Sequence, residues 1–373
     1  MIEFEDLRDH AKGWQQKEQS FVLYHLPGES KIHGLYADTK TVRDQIDFES
    51  SGFAFAPFLP RRKSYFLPFD QSRYFEADLP DGPPSSSEWK VTEADTQKQE
   101  HIHLVKQALP LLKAGSLDKV VLSRKLSLPR DSRDPLVIFE RLVNTYPEAL
   151  VYCWFHPETN FWMAATPEIL VQTKNLRFQT MALAGTQKID PAEQTISWGK
   201  KELQEQQFVI DEILDRLKAA GLEDIRAADR ETIQAGQLLH LKTTITGQLK
   251  QAQQLKELVH LLHPTAAVCG LPRDRALEFI LKQEPYDRSY YTGFIGPVQM
   301  MQSRDRSSSR RNTEQLAYRA VHRQTSLFVN LRCLQMTSDQ IHLYVGGGIT
   351  SSSDPEAEWQ ETINKSQTLL SVL

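Results

Sequence analysis

Leu150-Val-Tyr-Cys-Trp-Phe155 and, five residues on, Phe161-Trp-Met-Ala-Ala165 are two apolar, aromatic-rich runs of strand length that follow each other directly. Consecutive strands of this kind read as an antiparallel hairpin. Further strand-like runs fall at 119–126, 176–184, 240–249, 291–298, 327–335 and 341–345. Helical periodicity falls at 97–114, 135–145, 200–220, 251–262 and 355–372. Strands in runs with helices grouped between them predict an α+β fold, with large antiparallel sheets covered by helices, over a doubly wound parallel one. Upstream, Phe21-Val-Leu-Tyr24, Gly52-Phe-Ala-Phe-Ala56 and Tyr65-Phe-Leu67 are short strands. The Pro80-Asp-Gly-Pro-Pro-Ser-Ser-Ser87 stretch is too rich in Pro, Gly and Ser for regular structure. It marks a boundary near residue 95, between a variable N-terminal part of the fold (1–95) and a core (96–373).

Composition narrows the function classes. The chain has 373 residues, 40% of them hydrophobic and 25% charged, with a formal charge of −4. That describes a globular protein with a sizeable core and no general basic field for nucleic acid, so an anionic ligand must be met by local cations or a metal. Cys153, Cys269 and Cys333 are an odd, widely spaced set in apolar surroundings, which argues against disulfides or a zinc site. The N-terminus has neither a basic start nor an apolar core segment, and no run approaches eighteen apolar residues, so a cytoplasmic protein without membrane contact is expected. The polar Ser303-Arg-Asp-Arg-Ser-Ser-Ser-Arg-Arg-Asn312 stretch reads as a surface loop; its arginines lack the interleaved aromatics of a nucleic-acid site.

Chemistry-bearing residues lie at element ends. Lys201-Glu-Leu-Gln-Glu205 and Glu358-Trp-Gln-Glu361 each repeat a carboxylate at helical i, i+3 spacing, so two helices could share one Mg²⁺, a hard ion that prefers carboxylate oxygens. Either pair alone is an ordinary solvated helix face. Lys119 opens an apolar strand, where partial burial would make its amine a general base. Glu168 follows a Thr-Pro turn, where apolar walls would keep it protonated as a general acid. Glycines at 185, 270 and 346–348 stand where strands or helices stop and let backbone approach an anion, although ordinary turns explain any one of them equally well. His260 and His263, like His101 and His103, complete no zinc pattern.

Taken in order, Lys119-Val-Val-Leu-Ser-Arg124, Thr166-Pro-Glu168, Ala184-Gly-Thr186, Lys201-Glu-x-x-Glu205, His263-Pro-Thr-x-Ala-Val-x-Gly270, Glu284-Pro-Tyr-Asp-Arg288, Leu331-Arg-Cys333, Gly346-Gly-Gly-Ile349 and Glu358-Trp-x-Glu-Thr362 resemble the chorismate-utilising enzymes over residues 96–373. The resemblance implies a single large α+β domain with two antiparallel sheets packed together and helices outside. It also implies chorismate as substrate and Mg²⁺ held by Glu205 and Glu361, with Glu202 and Glu358 in support. Members that add water carry lysine at the Lys119 position and those that add ammonia glutamine, which points to the isochorismate synthase branch. Lys119 would then be the base and Glu168 the acid. Arg332 and Tyr291 would meet the enolpyruvyl carboxylate, with Gly185, Thr186, Gly346 and Lys365 on the ring-carboxylate side. Ala267, small where salicylate-forming members tend to have threonine, favours isochorismate as the end product. Salicylate synthase and a catalytically silent chorismate-binding module are the alternatives, and a monomer is expected. Thr166, Gln206 and Ala266 depart from the family pattern, Gln206 standing where a histidine commonly follows the second metal-helix glutamate.

Overall fold

The hairpin at 150–165 forms, with Leu150–His156 antiparallel to Asn160–Thr166, Val151 opposite Ala165 and Phe155 opposite Phe161. Period-two alternation sends Leu150, Tyr152 and Trp154 to one face and Val151, Cys153 and Phe155 to the other, and both faces are buried. This explains why the run is apolar at every position: it is a central strand with one layer packed on each side.

The computed structural model describes residues 2–80, 82, 95–188, 197–235, 238–304 and 320–373. Two antiparallel sheets carry the fold. The first has nine strands in the order Gly270–Leu271, Lys119–Pro129, Gln340–Ile349, Cys333–Met336, Asn160–Thr166, Leu150–His156, Ser20–His25, Lys31–Ala37 and Ser72–Asp78. The second runs Glu223–Ala227, Leu238–Gln248, Arg177–Lys188, Ile169–Lys174, Ala320–Val329, Phe294–Val298, Gly52–Ala56 and Tyr65–Pro68, with Glu231–Ala235 and Met300–Arg304 as additional partners. Strands from the first 80 residues thus enter both sheets. The stretches 80–87 and 303–312, apart from residues 80, 82, 303 and 304, lie outside the described residues.

An aromatic layer that includes Tyr24, Phe53, Phe55, Tyr152, Trp154, Trp162 and Tyr344 fills the space between the sheets. Helices Phe4–Gln16 and Pro135–Thr145 and the end of Pro355–Leu370 cover the outside of the first sheet. Lys200–Ala219 and Gln254–Leu262 cover the second. Asp95–Lys113 and Arg273–Gln283 pack beside the start of the Lys119 strand. Trp154 is fully buried in the middle layer, its ring 4.9 Å from Phe55 and its Nε1 donating to Thr159 Oγ1 at 3.1 Å. Trp154→Ala is expected to lower the unfolding free energy by about 3–5 kcal/mol, read from urea denaturation of the full chain.

The run expected as one strand at 327–335 is two. Ala320–Val329 belongs to the second sheet and Cys333–Met336 to the first, and the chain changes sheets at Asn330, Leu331 and Arg332, the last at a left-handed φ of 46°. An apolar run fits strands in either sheet equally well, so its pattern does not reveal the crossing. A second crossing lies beside it, where Asn160–Thr166 passes through Pro167 and Glu168 into Ile169–Lys174. Val329 N donates to Glu168 O at 2.9 Å and Thr166 Oγ1 to Val329 O at 2.6 Å, tying the two crossings together.

Candidate active site

These crossings bring Glu168 and Arg332 to one mouth of the aromatic layer. The pocket there has about 760 Å³ of space, part of it open to solvent. Gly185, Thr186, Glu205, His240, Ala267, Tyr291, Gly346 and Lys365 complete its wall together with residues of the glycine strand. All nine of the catalytic and substrate-contacting candidates read from the sequence come to this pocket: eight line it, and Lys119 reaches it through Glu205 and Gly348.

Lys119 is 1% exposed and its Nζ lies 2.9 Å from Glu205 Oε1. The burial follows from position. The lysine strand pairs with Gly270–Leu271 on one side and with Gln340–Ile349 on the other, setting Gly348 opposite Val121 and Gly346 opposite Ser123. A side chain on Gly348 would meet Lys119 Cε at 2.8 Å and run into the Glu205 carboxylate. Glycine here is a matter of space, because the helix carrying Glu205 and the lysine close directly onto the strand backbone. Gly348→Ala is therefore expected to abolish detectable turnover of the substrate while leaving the far-UV circular dichroism unchanged.

Glu168 is 3% exposed, and burial raises its carboxyl from the usual range to about 8 against the opposing pull of Lys119, Lys365 and Arg332. It is a neutral acid at pH 7. Lys119 is the foremost of the charges acting on it, so a buried amine stands near this buried acid.

Arg332 Nη2 lies 2.7 Å from His240 Nε2. A guanidinium only donates, so Nε2 must carry the lone pair and Nδ1 the proton, which goes to Gly185 O at 3.1 Å. Burial, then the charges of Arg332 and Lys365, drive His240 down to about 3, keeping it the neutral acceptor that orients Arg332. Burial also lowers Arg332 itself to about 10. Gly185 reaches His240 because the ladder slips between Ala184 and Thr186, with Gly185 at φ +74°. The sequence reading passed over His240. Its only signal was a polar residue opening an apolar strand, and its partner depends on a bulge and a sheet crossing.

Three carboxylates gather at the glycine strand. Glu205 stands over Gly348, while Glu358 and Glu361 reach to within 3.4 and 3.5 Å of where a Gly347 side chain would begin. The final helix starts with Asp354 Oδ1 accepting from Ala357 N at 2.9 Å and Pro355 at its first position. Its buried face takes Glu358, Thr362 and Ser366 together with Trp359, Leu369 and Leu370, while Ile363 is only half-buried. Small polar residues let this helix approach the glycine strand, which a count of apolar residues does not register. Glu202 is placed apart, its carboxylate against Gly199 at the start of its own helix. Gln206, at the departure from the family pattern, is buried and directs Nε2 to Thr243 Oγ1 at 3.3 Å and Ala182 O at 3.4 Å, fastening its helix to the second sheet.

Each of the three acids holds a lysine: Lys119 on Glu205, Lys201 on Glu358 at 2.6 Å and Lys365 on Glu361 at 2.7 Å. Consistent with this, among the described residues no three His, Cys, Asp or Glu side chains stand ready to hold an ion. The donor chemistry nevertheless suits a hard divalent cation: Glu358 Oε2 is buried with no hydrogen-bond partner, and the side-chain-free glycines leave room beside it. His263 is a buried structural histidine, donating from Nε2 to Pro57 O at 3.0 Å. The three cysteines are buried and free. Among the described residues no helix is long and apolar enough to cross a membrane.

Residues 69–305 match one family model described as chorismate binding enzyme, and residues 316–371 match a second with the same description. The chain belongs to the chorismate-binding enzyme family. It is 32% identical to isochorismate synthase MenF of Escherichia coli over 282 residues, 72% of this chain and 59% of that protein. To isochorismate synthase EntC of the same organism it is 28% identical over 277 residues, 72% of this chain and 66% of the relative. The chain thus spans about three fifths to two thirds of the length of these relatives. The structure of MenF, the menaquinone-specific isochorismate synthase from Escherichia coli, superposes with a TM-score of 0.76 at 22% identity, covering 95% of this chain and 88% of the other.

Proposed function

We propose that this protein is an isochorismate synthase, which converts chorismate to isochorismate with Mg²⁺. The carrying observation is that a buried acid, Glu168, lines the pocket while a buried amine, Lys119, stands behind the wall residue Glu205 and close enough for its charge to act on Glu168. Isomerisation of this kind needs both at once. In its neutral amine form, Lys119 takes a proton from water as its oxygen bonds to C2 of the ring. The ring double bonds shift, the C4–O bond breaks, and Glu168 protonates the departing hydroxyl, so that one water enters and one leaves. Arg332, steadied by His240, and Tyr291 face the enolpyruvyl carboxylate; an arginine fork suits a planar carboxylate. Thr186, Gly185, Gly346 and Lys365 take the ring-carboxylate side.

Enzymes of this family depend on a metal. Glu205 and Glu361 would hold it here, with Glu358 in support, and its positive charge would offset the negative charge of the ring carboxylate; Glu202, placed apart, takes no part in this arrangement. Ala267 leaves space in the wall without adding a polar group, which favours stopping at isochorismate. The names of the two Escherichia coli relatives support the same reaction.

The deciding experiment incubates the purified chain with chorismate and Mg²⁺ and resolves the products by chromatography, with a coupled lactate dehydrogenase assay for pyruvate. Isochorismate without pyruvate is expected. Salicylate with stoichiometric pyruvate, anthranilate on adding ammonia, or bound but unconverted chorismate would each overturn the assignment.

A further inference from the structure

Lys201 is the one lysine of the carboxylate cluster that neither lines the pocket nor has a part in the proposed chemistry. Its position is electrostatically awkward. It occupies the first turn of the Lys200–Ala219 helix, where the backbone dipole disfavours a cation and an acid is the usual occupant. What holds it is the cluster: its Nζ meets Glu358 Oε1 at 2.6 Å, and Glu358 is 1% exposed. Beyond that contact, the charges of Glu361 and Glu205 also act on the Lys201 ammonium. One positive charge therefore feels three carboxylates that come from two helices.

We infer that Lys201 is the built-in counter-ion of this cluster, standing in for the divalent cation and competing with it for Glu358. The inference rests on the metal-dependent reading of the site. Without a cation, three carboxylates drawn together at the glycine strand would repel one another, and Glu358 would be a buried charge without compensation. The ammonium removes that cost in the metal-free protein. A divalent ion supplies the same compensation with twice the charge, so its arrival releases Lys201. The side chain is 27% exposed on a helix terminus and can swing into water without disturbing the core. Lys119, enclosed at 1% exposure, and Lys365, also bonded to Gly346 O at 2.9 Å, lack that freedom.

The test is a titration of the full chain with Mg²⁺ by calorimetry and with Mn²⁺ by the free-ion electron paramagnetic resonance signal, without substrate and at pH 8, where protons compete least for carboxylates. Lys201→Met and Lys201→Gln are expected to bind both ions at least tenfold more tightly than the unaltered chain, and Lys201→Arg, which keeps the charge, to bind within about twofold of it. Unchanged or weaker binding in both neutral variants, with normal circular dichroism, overturns the inference, because Lys201 would then only support Glu358. Absence of ion binding in every form overturns it together with the metal-dependent reading. Tighter binding in the neutral variants of a chain that never converts chorismate would uphold the counter-ion role while removing the proposed reaction.

Discussion

Lys119→Ala is expected to lower kcat for isochorismate formation by about 10²–10⁴, the range typical of removing a positioned general base. Water is a poor nucleophile until a proton is withdrawn from it, and the residues around Lys119 at the pocket wall are Glu205 and a glycine backbone. Glu205 is committed to the cation cluster, so no second base stands in reserve there. Substrate contacts on the Arg332 side are untouched by the truncation, so KM should change far less than kcat. Product chromatography at saturating chorismate measures the loss, and thermal unfolding checks that the fold persists. Turnover at the unaltered rate would remove Lys119 from the role of base.

Glu168→Gln carries the second large effect. With its carboxyl raised to about 8, Glu168 is protonated at neutral pH, and an amide is close to it in shape and in lack of charge. Fold and substrate affinity should therefore survive. The amide cannot deliver a proton to the departing hydroxyl, and kcat is expected to fall by about 10²–10⁴. The sign of the pH dependence follows from the direction of the shift. An acid raised from 4.5 to about 8 stays in its working form through neutrality and loses its proton above that point. The kcat/KM of the unaltered enzyme should thus decline as pH rises through about 8, and the residual activity of Glu168→Gln should lack that limb. A variant as active as the unaltered chain, or one that keeps the limb, would assign the acid role elsewhere.

Much of this site was legible beforehand for a physical reason. Lys119, Glu168, Glu205 and Glu361 are charged residues set in or beside apolar strand and helix patterns, and such placements are costly unless a site repays them. Gly346 and Gly348 stand where a side chain would run into a neighbour, so their identity recorded a close approach that the sequence could mark but not explain. His240 and Lys201 carry only faint local signals, a polar residue opening an apolar strand and a cation in the first turn of a helix, and neither names its partner. One depends on a bulge at Gly185 and on an arginine 92 residues away, the other on a glutamate 157 residues away.

Local pattern was enough for the antiparallel character of the sheets, for five of the seven α-helices among the described residues and for Lys119, Glu168 and the paired acids as groups able to do chemistry, because period and charge placement are short-range properties; Phe4–Gln16 and Arg273–Gln283 were not foreseen, and the substrate-side residues came from the family resemblance. The two sheet crossings at Pro167–Glu168 and Asn330–Arg332 are not of that kind. An apolar run is equally content in either sheet, and only packing of the whole aromatic layer decides where the chain changes over. The same long-range packing fixed which lysine each carboxylate holds, since ion pairs between distant segments form only after the helices have closed on the glycine strand.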